Sequence, residues 1–121
     1  MDWGPAPEAR GPALDWIKAH DGRFGHYIGG RWVTPSAGDG FDTVNPATRE
    51  RLARVAQAGT EDVDAAVQAA SEALPAWAGL PGHARARHLY ALARTVQKHS
   101  RLLAVLESLD NGKSIRETRD L

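Results

Sequence analysis

The sequence predicts an α/β chain, with a short leading helix, then strands, then long helices, and three features predict it. The first is His26-Tyr27-Ile28, then Gly29-Gly30, then Arg31-Trp32-Val33. A glycine pair between two short runs with apolar residues suits a two-residue hairpin turn, which needs positive φ. The second is a change of period at Thr60. Beyond it Val63, Ala66, Val67, Ala70, Leu74 and Trp77 recur at helical spacing. The third is the stretch closing at Asn111-Gly112. Leu102, Leu103, Leu106 and Leu109 lie on one helical face there, and the Asn-Gly pair supplies a left-handed stop.

The other elements follow from local chemistry. Residues 1–11 hold Gly4, Pro5, Pro7 and Gly11 and read as an irregular arm. Pro12 opens a short helix to about His20, with Leu14 and Ile17 on one side, and Asp21-Gly22 stops it. After the hairpin come a polar loop over 35–40, a short strand over 41–44, a turn at Asn45-Pro46-Ala47-Thr48 and a further strand over 51–58. Thr60 is the expected N-cap of the next helix, with Glu61 and Asp62 in its first turn, where the helix dipole favours carboxylates. Pro75 is expected to end that helix near Leu74, because it has no N–H to donate. A second helix begins near Gly82 with an apolar stripe of Leu89, Leu92, Ala93 and Val96. The phase breaks between Gln97 and Arg101, which predicts a kink or restart with Ser100 as cap, and the helix then runs to about Asp110. Ser114-Ile115-Arg116-Glu117 reads as a capping box, so a last helix starts at about Ile115. Leu121 follows within two turns, too few for a helix to hold alone. The expectation is a chain cut inside this element, and hence an incomplete domain.

Composition narrows the function. Fifteen basic and fifteen acidic residues cancel, so no global charge drives the chain toward nucleic acid or an anionic membrane. No apolar run has the length of a bilayer span. Met1-Asp2-Trp3-Gly4-Pro5 lacks the basic and apolar regions of a secretory signal. There is no cysteine, so disulfides and thiolate metal sites are excluded within this span, and a cytoplasmic setting is expected.

Most constellations have a plain explanation. His83, Arg87, Arg94, Lys98 and Arg101 fall within roughly 60° of one another on a helical wheel. They would serve either as a phosphate- or partner-binding face or as the solvated side of an amphipathic helix. Few aromatics interleave with them, so base stacking has no support. The five histidines show no i,i+4 pair and no HExxH. No serine sits in G-x-S-x-G, and no G-x-G-x-x-G is present. Asp110 is different. A carboxylate is unfavourable at the negative end of a helix, so solvent, Lys113 or a cation must compensate it. Hard cations prefer oxygen ligands, and irregular backbone at Thr43-Val44 is a source of carbonyls.

Two blocks of residues carry a family resemblance. Leu109-Asp110-Asn111-Gly112-Lys113, closing a long helix, resembles the amino-terminal part of the NAD(P)-dependent aldehyde dehydrogenase superfamily. Asp42-Thr43-Val44-Asn45-Pro46-Ala47-Thr48, followed by Val63-Asp64-Ala65-Ala66-Val67, resembles it too. The likeness runs from about His26 to Leu121 and leaves residues 1–25 as an extension, similar to the lead-in of a branch with two tandem dehydrogenase modules. Two departures are visible. Arg49 stands where glycine is usual and adds strain if that position needs positive φ, and Ser114 replaces a proline after the signature lysine.

The resemblance implies the hairpin and helices of a Rossmann-like cofactor-binding domain, incomplete here. It implies an oxidoreductase that turns aldehydes into carboxylic acids with NAD or NADP, homo-oligomeric when whole. A cysteine thiolate attacks the aldehyde in that family and a glutamate activates water. Neither maps onto this chain, nor does a cofactor-contacting residue, so no activity is expected of residues 1–121 alone. Some members bind a monovalent cation through two backbone carbonyls before Asn-Pro and the aspartate of the helix end. Carried over, these are Thr43, Val44 and Asp110. The alternative is a non-catalytic helical interaction module using the basic face of residues 83–101. A weaker third reading is a natural truncation that pairs with full-length subunits.

Overall fold

The computed structural model describes residues 6, 8–36 and 38–119. Most of the amino-terminal arm and the last two residues therefore lie outside the described residues. Five helices and five strands follow in order: α1 (Gly11–Ala19), β1 (Arg23–Phe24), β2 (His26–Ile28), β3 (Arg31–Val33), β4 (Gly40–Val44), β5 (Arg51–Ala56), α2 (Thr60–Gly79), α3 (Gly82–Lys98), α4 (Ser100–Asn111) and α5 (Ile115–Arg119).

The strands divide into two sheets. β2 and β3 form the expected hairpin, in register His26 to Val33 and Ile28 to Arg31. Gly29 and Gly30 have φ of 60° and 78°, so the glycine pair meets the need for positive φ at both turn positions. Tyr27 packs edge-on to Trp32 across the ladder, with ring centroids 5.3 Å apart. The other sheet has the order β1-β5-β4. Its β4–β5 pair is antiparallel and its β1–β5 pair parallel. β1 is two residues long, too short to leave a periodic signal, and the sequence did not reveal it.

The core is small and sits between α1, β5 and α4. Ala13 and Ile17 of α1, Ala53 of β5, and Ala104 and Val105 of α4 are buried. Trp16 stacks on Phe24 at 5.4 Å and fixes how α1 leads into β1. These contacts tie α1 and β1 to the rest of the chain. Arg119 of α5 pairs with Glu8 at 3.6 Å, joining the two ends of the described chain.

Several expected helix boundaries shift. α2 does not end near Leu74; it runs through Pro75 to Gly79. Proline removes one donor, but Ser71 is exposed, so water can meet the carbonyl left without a partner. The Arg85 side chain then donates to the Ala78 and Leu80 carbonyls, closing the carboxyl end of α2. The N-cap of α2 is Gly59, one residue before Thr60. The expected break near residue 99 is present, but α4 follows His99 with no side-chain cap, so Ser100 does not play that part. At α5 the Glu117 and Thr118 N–H groups donate to the Ser114 carbonyl, an ordinary helical start in place of the expected capping box.

The largest departure concerns burial. Val63, Val67 and Leu74 of α2, and Leu89, Leu92 and Val96 of α3, follow helical spacing yet are 49–61% exposed. The stripes exist, but the described elements leave about half or more of each of these side chains open.

Two backbone positions set testable costs. Arg49 has φ of 63°, the positive φ that its sequence position hinted at. An L residue there is disfavoured by about 1–2 kcal/mol, so Arg49→Gly should raise stability by up to about 1 kcal/mol once glycine's extra chain entropy is deducted. Gly112 has φ of 78°, and a Cβ there would lie 2.9 Å from Pro46 Cγ. Gly112→Ala should therefore lower stability by more than about 1 kcal/mol. Urea titration of the two variants checks these opposite signs.

Candidate functional site

The end of α4 and the end of β4 meet, and this contact brings together residues 67 positions apart. α4 closes in a left-handed residue at Gly112, whose N–H donates to Ser108 O at 3.1 Å. Because Gly112 has no side chain, it lies directly against Pro46. Pro46 belongs to the turn between β4 and β5, which Asn45 holds: its N–H reaches Glu50 O, and its side-chain Oδ1 accepts from Ala47 N–H at 2.9 Å. With the helix end and the turn locked, the Thr43 hydroxyl donates to Asp110 Oδ1.

The β4–β5 ladder breaks its register between Thr43 and Val44, as in a β-bulge. Thr43 faces Ala53 and Val44 faces Arg51, so Leu52 is left without an opposite number. Val44 is exposed. The Asp110 carboxylate therefore meets the Thr43 hydroxyl next to the irregular backbone between Thr43 and Val44. Of the groups that could compensate Asp110, Lys113 is committed elsewhere. Its Nζ pairs with Glu107 Oε1 at 3.3 Å. Thr43 and Asp110 also stand at the rim of a groove of about 520 Å³ with an apolar interior that includes Trp16, Phe24 and Leu106.

The basic face is less coherent than its helical wheel. His83, Arg87, Arg94 and Lys98 are on α3 and Arg101 is on α4, beyond the break at His99. All five are exposed. Among the described residues no group of three or more His, Cys, Asp or Glu side chains could hold a metal ion, and no helix is long and apolar enough to cross a membrane.

The structural centre that sequence reading understated is Asp62. It is buried, and its carboxylate joins three segments. Oδ1 accepts the Ser36 N–H at 3.0 Å, while Oδ2 accepts the Ser36 hydroxyl at 3.0 Å and the Gly59 N–H at 2.8 Å. Asp62 thus reaches back to the N-cap of α2 and also pins the loop after the hairpin. The Gly59 N–H bond, the two bonds from Ser36 and nearby His26 together hold its carboxyl below the usual aspartate pKa, against an opposing effect of burial. Its place in the first turn was legible. Its partner Ser36, 26 residues away, left no local signal.

Comparison with known proteins agrees with this geometry. The profile described as the Aldehyde dehydrogenase family matches residues 32–120. The chain is 44% identical over 96 residues to acetaldehyde dehydrogenase 2 of Cupriavidus necator, covering 79% of this chain and 19% of that protein. It is 38% identical over 96 residues to aldehyde dehydrogenase B of Escherichia coli, with the same two coverages. Among solved structures, HpcC from Thermus thermophilus superposes with a TM-score of 0.83 at 32% identity, covering 90% of this chain and 22% of that one. Betaine aldehyde dehydrogenase from Staphylococcus aureus, solved with NAD+, gives 0.83 at 29% identity, covering 92% and 22%. The chain belongs to the aldehyde dehydrogenase family. It spans about a fifth of the length of these relatives.

The Asp62 arrangement has a signed pH consequence. Its native pKa lies below the unfolded value, so its contribution to stability is complete above the ordinary carboxylate range. That contribution fades as pH falls through that range and is gone below the lowered native pKa. Asp62→Asn should destabilise the chain at neutral pH, and the gap from the parent should close on acidification. Urea midpoints of both proteins across an acid series check this.

Proposed function

We propose that this chain is the amino-terminal section of an NAD(P)-dependent aldehyde dehydrogenase. Residues 26–121 would form part of the cofactor-binding domain, with residues 1–25 as an extension whose α1 and β1 pack on it. The enzyme would oxidise an aldehyde to a carboxylic acid with NAD or NADP, and a relative solved with NAD+ supports a nicotinamide cofactor. Superposition across nine-tenths of the chain carries this reading. The uncovered stripes on α2 and α3 support a role inside a larger folded unit, because such surfaces are costly in water. A cytoplasmic homo-oligomer is the proposed setting, in keeping with a chain that has no cysteine. The alternative, an interaction module built on the basic face, finds no favouring observation in exposed side chains alone.

The part proposed for these residues is support. α1, the β1-β5-β4 sheet and α4 would form a platform beside the nucleotide fold, and no residue here is assigned to NAD(P) or to the reacting aldehyde. The second part of the proposal is a monovalent cation held by the Thr43 and Val44 carbonyls and by Asp110. An all-oxygen donor set with one formal charge suits such an ion, and Asp110, without Lys113, has a charge for it to offset. The ion would brace the α4–β4 junction.

Two outcomes test this reading. The 121-residue chain has no thiol to attack a carbonyl, so it should form no NADH with acetaldehyde. Aldehyde-dependent absorbance of NADH would overturn the assignment. Potassium or sodium should raise the unfolding temperature above that in tetramethylammonium at equal ionic strength, and Asp110→Asn should abolish the difference. Equal temperatures in all three salts would remove the cation site.

A further inference from the structure

We infer that Asn111 is a site of spontaneous deamidation, gated by the last turn of α4. The chain has two asparagines, and they sit in opposite chemical situations. Asn45 precedes Pro46, whose ring nitrogen has no proton to give up, and Asn45 is itself buried. Asn111 precedes Gly112, whose nitrogen bears a proton and whose missing side chain leaves the approach open. Asn111, Gly112 and Lys113 are all exposed, so water reaches the site.

The local geometry favours the reaction and also restrains it. Asn111 Oδ1 accepts the Lys113 N–H at 2.8 Å, which folds the amide back over the Asn111–Gly112 peptide. Asn111 Nδ2 donates only a long bond of 3.5 Å to Glu107. The restraint is on the nucleophile. The Gly112 N–H is held by Ser108 O at 3.1 Å, and Gly112 lies against Pro46. The final turn must open before the Gly112 nitrogen can lose its proton and move, so the rate follows the open fraction of the helix end.

The steps balance without an oxidant or reductant. A solvent base takes the Gly112 amide proton. The nitrogen bonds to Asn111 Cγ, the protonated base returns its proton to Nδ2, the bond from Cγ to Nδ2 breaks, and ammonia leaves. Water then opens the cyclic imide at either carbonyl, leaving aspartate or isoaspartate. Aspartate places a second negative charge beside Asp110, at the end of the helix where the dipole opposes it. Isoaspartate adds a carbon to the backbone and takes Gly112 off Pro46. Both products loosen the junction that holds Thr43 against Asp110.

The test is incubation of the whole chain at mildly alkaline pH, natively and in urea, followed by peptide mapping and enzymatic detection of isoaspartate. Asp21-Gly22 and Asp39-Gly40 can form isoaspartate without a change of mass, so both signals are read at each position. The expected result is the mass gain of deamidation at Asn111 and none at Asn45. The native rate should lie about ten- to a hundredfold below the rate in urea, slow but measurable. In urea, where folding plays no part, Gly112→Ala should be slower than the parent. Native Asn111 that stays intact while the urea sample converts fully would overturn the proposal. Equal rates in the two states, or equal conversion at Asn45, would overturn it as well.

Discussion

The contact between Gly112 and Pro46 is the constraint on which the rest of this structure depends. A helix that ends in the left-handed region turns its chain sharply, and glycine does so without a Cβ penalty. Here the same missing Cβ lets the helix end sit on the ring of a turn proline. α4 is thereby anchored to the β4–β5 turn at its carboxyl end, while Ala104 and Val105 anchor its body beside α1 and β5. The meeting of Thr43 and Asp110 follows from this placement and needs no long side chain to reach across a gap.

A second clamp works near the other end of the β4–β5 ladder. Asp62 holds Gly59 and Ser36 together and so fixes α2 relative to the loop after the hairpin. Between these two points the core is modest. Its buried apolar positions are mostly alanine, and among the described residues no large side chain is fully enclosed. Small side chains bury little area, so backbone geometry and polar clamps carry more of the specification than bulk burial does. The uncovered stripes of α2 and α3 agree with a segment shaped to join a larger core, as its family membership leads one to expect.

Features set by neighbouring residues were legible in the sequence. The glycine-pair hairpin, the break near His99, the stop at Gly112 and the strain at Arg49 depend on conformational preferences of one or two residues. Features set by distant partners were not. β1 forms because β5 offers it an edge; α2 passes Pro75 because solvent meets the one freed carbonyl, and Arg85 then closes the helix further on. The helical stripes were readable as apolar but not as uncovered, since periodicity reports which face is greasy and not what lies against it. The observed meeting of Thr43 and Asp110 runs through the threonine hydroxyl, a contact that the family resemblance, which concerns backbone carbonyls, did not give. The bulge that disturbs the backbone between Thr43 and Val44 left no residue signature in β4.

The most direct measurement is a double-mutant cycle between Gly112→Ala and Pro46→Ala, read by urea unfolding. If the two residues touch as described, removing the proline ring makes room for the added methyl group. The pair should then be less destabilised than the sum of the single changes, by about 0.5–3 kcal/mol. Additive effects would mean that Gly112 matters only for its own backbone angle. The locked junction between α4 and the β4–β5 turn would then be contradicted.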